Sequence, residues 1–90
     1  MPVNDESGAV TRARLGQILS YLEECRTGLA AVKDALDGAA EQIRAAAEGS
    51  HRHEAAEAVT ALVRSRDGTD GVLDEIASAA AQAREYRKLV

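Results

Sequence analysis

The chain has 90 residues, a formal net charge of −4 and 46% hydrophobic content, with Tyr21 and Tyr86 as its only aromatic side chains. This length suits one small domain, and the mildly acidic balance argues against a dedicated nucleic-acid binder, which carries a basic footprint. No stretch approaches the roughly 20 consecutive apolar residues of a membrane span.

Much of the apolar content is alanine, and Ala, Leu, Glu, Gln, Arg and Lys are the strong helix formers. Pro2 is the only proline, so nothing after it blocks a helix. "DG" occurs three times but never between alternating apolar runs, so hairpin-strand signals are weak. The reading is all-α: an antiparallel, coiled-coil-like two-helix hairpin that assembles into a four-helix bundle.

Residues 1–10, "MPVNDESGAV", read as a flexible polar tail. They lack a basic segment followed by an apolar one, so no classical signal peptide is expected. The expected location is cytoplasmic, with export independent of a signal peptide left open. Helix one is expected over 11–48, with Thr11 or the earlier Ser7 as N-cap. A heptad pattern begins at Leu15. Its a column is Leu15, Leu22, Leu29, Leu36 and Ile43, and its d column is Ile18, Cys25, Val32, Ala39 and Ala46. Such a seam points to a long helix packed on a partner helix. Cys25 has no second cysteine to pair with and fits a reducing compartment as a small apolar seam residue.

"AAEGSHRHEAA" supplies a stop and a restart. Gly49 suits the left-handed position that ends helices, and Ser50 suits the N-cap of a second helix over 51–88. A short connection makes the two helices antiparallel neighbours. The second helix carries a stripe of Ala55, Val59, Leu62, Thr69, Leu73, Ile76, Ala80 and Ala83. Arg66 and Arg87 intrude on it, with aliphatic stems that can lie on apolar surface while the charge reaches water.

"RDGTDGVLDEI", Arg66 to Ile76, interrupts this helix with two glycines and four acids. It fails as a calcium loop, because a loop starting at Asp67 would have Val72 at its sixth position and Ser78 at its twelfth. It aligns instead with an earlier segment: "KDALDGAAEQIRAAA" (33–47) matches "RDGTDGVLDEIASAA" (66–80) at an offset of 33 residues. The first copy lies inside the heptad run, so the second can be helical too. Leu62 and Leu73 then share a face, and Gly68 and Gly71 point outward. The competing reading is a break near Asp67–Gly71, with a third helix capped there.

Catalytic and metal-binding signatures are not found. His51 and His53 diverge on a helix, and His53 with Glu57 offers only two ligands. No nucleophile has a recognisable base beside it, and no strand precedes a glycine-rich phosphate loop. The chain therefore reads as a non-enzyme with no cofactor, no metal and no small-molecule substrate. Glu23, Glu24, Asp34, Asp37 and Glu41 read as a solvated face. Arg12, Arg14, Arg84, Arg87 and Lys88 gather at the open end of a hairpin, to be neutralised by the acidic tail (Asp5, Glu6) or to meet an acidic partner.

One alanine-rich seam cannot easily offset about 1–2 kcal/mol of backbone entropy per ordered residue, and small domains in this position oligomerise. A homodimer or a heterodimer with another small helical protein is expected. The seam consists of Leu15, Ile18, Leu22, Cys25, Leu29, Val32, Leu36, Ile43, Val59, Leu62, Leu73 and Ile76. Off it, Leu19, Tyr21, Val63, Val72 and Tyr86 form a second interface.

Ala47-Glu48-Gly49 at the turn, Tyr86 near the end and two long alanine-rich helices resemble the WxG-type helical-hairpin proteins of type VII secretion. Of the family's Trp-x-Gly only the glycine is present, and Val90 stands where its Tyr-x-x-x-acid signal has the acid. The resemblance implies a paired hairpin exported folded, or the companion of a larger toxin. A regulatory nucleic-acid-binding helical protein is the third reading.

Overall fold

A computed structural model describes residues 2–90, and side chains from Ser7 onward. Helix α1 spans Pro2–Ala46 and helix α2 spans His53–Leu89. They pack against each other as an antiparallel rod with Cα extents of 73 × 14 × 13 Å. Residues 47–52 connect them.

Helix α1 begins earlier than the sequence reading placed it, so residues 2–10 continue the helix where a flexible tail was expected; Met1 lies outside the described residues. Proline is suited to a first helical position, where its missing N–H has no helical partner anyway. Thr11 does not cap. It sits inside the helix, and its hydroxyl donates to the Ser7 carbonyl at 3.0 Å. Glycines let this extension lie against α2. A Cβ on Gly8 would sit 3.2 Å from the Val90 carbonyl oxygen, and one on Gly16 would sit 3.4 Å from the Arg87 guanidinium.

The turn uses Gly49 at φ 79°, a left-handed conformation that side chains disfavour. Ser50 N–H donates to the Ala47 carbonyl at 2.8 Å. The expected Ser50 cap is not made: Arg52 is the N-cap, and it makes no side-chain capping bond. The Ser50 hydroxyl instead accepts from Arg52 N–H at 3.2 Å, which spends its acceptor on the connection and delays α2 by two residues.

Helix α2 runs unbroken through Asp67–Gly71. Thr69 hydroxyl donates to the Ser65 carbonyl at 2.9 Å rather than capping a new helix. Added Cβ atoms on Gly68 and Gly71 would meet nothing within 4 Å. Both glycines therefore point outward, and the apolar phase carries across them.

Only Ala40 and Ala80 are buried among the described residues, at 3% and 8% exposure. The chain exposes 6663 Å², whereas a globular monomer of its mass exposes about 5,000 Å². The radius of gyration is 20.7 Å, against about 12 Å for a compact chain of this length.

Candidate interaction surface

Which columns of each helix meet follows from contacts that bridge the hairpin. Lys33 Nζ lies 2.7 Å from Asp70 Oδ1, Arg66 Nε lies 3.0 Å from Asp37 Oδ1, and Arg87 lies over Gly16. Residue numbers of facing positions therefore add to about 103.

Helix α2 presents the expected stripe: Ala55, Val59, Leu62, Thr69, Leu73 and Ile76 are half-buried, as is Arg66 among them. On α1 the a column faces α2 as expected, with Leu15, Leu22, Leu29, Leu36 and Ile43 half-buried. The second inward column differs. It is the one that follows d by a residue: Leu19, Arg26, Lys33, Ala40 and Ala47, of which Leu19, Lys33 and Ala47 are half-buried and Ala40 fully buried. Ile18, Cys25 and Val32, read as seam residues, are exposed instead.

The correction has a charge-based cause. The column chosen by apolarity alone is the d column, because its neighbour contains Arg26 and Lys33. Those cations do not need to be buried. Lys33 lays its stem along the seam and ends on Asp70. Arg66 does the same from α2, contacting Asp37 and lying 3.6 Å from both Asp67 and Asp70. The hydrogen bond and charge of Asp70 raise the Lys33 pKa, Asp37 raises that of Arg66, and Lys33 holds Asp70 below the usual carboxylate range.

These ion pairs lie along one long side of the seam, which by helical phase also carries Glu23 paired with Arg26, Glu41 paired with Arg44, Asp34 and Asp74. The opposite long side is apolar. Ile18, Tyr21, Cys25, Gly28 and Val32 follow one another there on α1 at alternating spacings of three and four residues. Val72, Ala79 and Tyr86 continue the same side on α2, since Val32 lies level with Val72, Cys25 with Ala79, and Ile18 with Tyr86. Ile18, Tyr21, Val32, Val72 and Tyr86 are 44–55% exposed. From 18 to 46 on α1 and from 58 to 89 on α2, Glu75 is the only charged residue on these columns.

The expected second interface thus divides. Tyr21, Val72 and Tyr86 lie on the exposed apolar side, Leu19 belongs to the intramolecular seam, and Val63 is half-buried on the ion-paired side. The missed signal was the sequence repeat. Read as an antiparallel symmetry, it would have set Lys33 against Asp70 and Arg66 against Asp37, and so fixed the inward column.

At the open end, four of the five expected basic residues, Arg12, Arg84, Arg87 and Lys88, surround a shallow cleft that Arg14 does not line, and Arg12 donates to the Val90 carbonyl. Among the described residues, no three His, Cys, Asp or Glu side chains converge as metal ligands. No helix among the described residues is long and apolar enough to cross a membrane. Comparison with protein-family models, curated proteins and solved structures gives no match.

Proposed function

We propose that this chain is a non-enzymatic interaction module that works by laying its apolar side against another helical protein surface. The observation that supports this reading is the second apolar surface itself. It continues over both helices, keeps coiled-coil spacing and is nearly free of charge, while the other long side carries a dense run of both charges. Exposed apolar residues scattered singly need no explanation, but a contiguous patch of this length marks an interaction site. The chain exposes roughly 1,600 Å² more than a compact monomer of this mass, about twice the ~800 Å² that a standard interface takes from each partner.

A photo-crosslinking residue at position 32, compared with one at position 30 on the other side, tests the reading in cells expressing the chain. Covalent adducts with polypeptide at 32 but not at 30 are the expected result. Equal yields at both positions, or none at either, would overturn it.

A second reading is a folded export substrate or the companion of a larger toxin. Two long helices joined at a positive-φ glycine, Gly49, support it. Its test is the chain's appearance in culture supernatant without lysis, and strict retention would remove it.

A further inference from the structure

We infer that the occupant of the apolar side is a second copy of this chain, laid face to face and antiparallel, with a two-fold axis passing through Val32 and Val72. The inference rests on the pairing function proposed above and names its partner and register.

The apolar side is bulky toward the open end, at Ile18, Tyr21 and Tyr86, and small toward the turn, at Ala39, Ala46 and Ala58. Two copies laid in the same direction would stack bulk on bulk at one end and leave a gap at the other. Reversing one copy evens the thickness.

The register follows without adjustment. An antiparallel face-to-face pair places α1 along the partner's α1 and α2 along the partner's α2. Centring on Val32 sets Ile18 against Ala46 and Cys25 against Ala39. Centring on Val72 sets Tyr86 against Ala58 and Ala79 against Ser65. Val32 and Val72 lie level with each other in the hairpin, so one axis serves both helices. Ile18, Cys25 and Tyr86 then each meet an alanine, which is how packed layers interdigitate, while the valines on the axis meet their own copies and Tyr21 falls beside the partner's Gln42.

Area and charge agree. About 30 residues of overlap at ~1.5 Å each, two helices wide at ~10 Å per helix, give on the order of 900 Å² per copy, close to the standard ~800 Å² per partner. Glu75 falls near the partner's Gly68, at the edge of the contact, where its carboxylate reaches water. No like charges are stacked at the centre.

The test uses the full chain carrying Cys25→Ala, so that only introduced cysteines react. Light scattering over a dilution series gives the mass, and oxidation reports the register. A dimer is expected, with Val32→Cys forming a covalent dimer by itself. Ile18→Cys and Ala46→Cys should crosslink when mixed but not separately. Val32→Lys should shift the mass to monomer, while Ala30→Lys should not, with circular dichroism following helix content in both.

A dimer in which Val32→Cys crosslinks only to Val72→Cys would overturn the antiparallel arrangement. A monomer at every concentration would overturn the second copy as partner. The pairing function would still stand if position 32 crosslinks a different polypeptide in cells, and would fall with it if position 32 captures nothing.

Discussion

Lys33 and Asp70 meet across the hairpin at 2.7 Å, and Arg66 and Asp37, their counterparts 33 residues away in the sequence repeat, meet at 3.0 Å. The two bridges are reciprocal: the basic residue of each copy pairs with the acid of the other. A repeat that looks like a tandem copy thus acts as a local two-fold relating α1 to α2. It fixes how far one helix is slid along the other.

This reciprocity predicts charge-reversal behaviour. Arg66→Glu alone, or Asp37→Arg alone, lowers the melting temperature by placing like charges together. The combined swap recovers much of the loss. Thermal melts at low and high salt check this, and the differences should shrink as salt screens the exposed groups.

The cluster also predicts a pH window. Asp70 has its pKa lowered in the fold by its hydrogen bond with Lys33, so its contribution is present above its ordinary value of 3.8 and is lost as pH falls through the lower folded value. Lys33 has its pKa raised, so its contribution is full below its ordinary 10.5 and is lost as pH rises through the folded value. The gap in melting temperature between the wild type and Asp70→Asn should be steady in the neutral range and close in acid. The gap to Lys33→Met should close in alkali.

The inward columns predict unequal costs for neighbouring truncations. Leu19→Ala and Leu29→Ala remove half-buried seam leucines and should each cost about 1–3 kcal/mol, below the range for fully buried sites. Val32→Ala should change hairpin stability little in dilute solution. Urea denaturation at low protein concentration separates the two. A larger loss at Val32 than at Leu19 would place the d column on the seam after all.

Two glycines predict opposite signs. Gly71 lies within α2 with open space at its Cβ position, so Gly71→Ala should stabilise by about 0.5–1 kcal/mol. Gly49 holds a φ of 79°, so Gly49→Ala should destabilise by about 1–2 kcal/mol. Both are read from the same denaturation curves.

The existence of both helices, the position of the turn and the stripe of α2 were legible from the residues alone. Helix-forming composition and a heptad run of leucines leave few alternatives, and Gly49 was legible because only the left-handed conformation explains a glycine at that break. Continuity through Asp67–Gly71 was legible from phase, since Leu62 and Leu73 stay on one face only if the helix does not stop. The start of α1 was not legible, because polar composition in residues 2–10 says nothing of α2's far end lying beside Gly8 and Gly16. The tertiary structure alone decided which of the two columns flanking the leucines faces inward. Apolarity favoured Ile18, Cys25 and Val32. The fold chose Leu19, Lys33 and Ala40, because cations at the rim of the seam reach acids on the opposite helix. That choice leaves the more apolar column free, and it supplies the surface on which the proposed function rests.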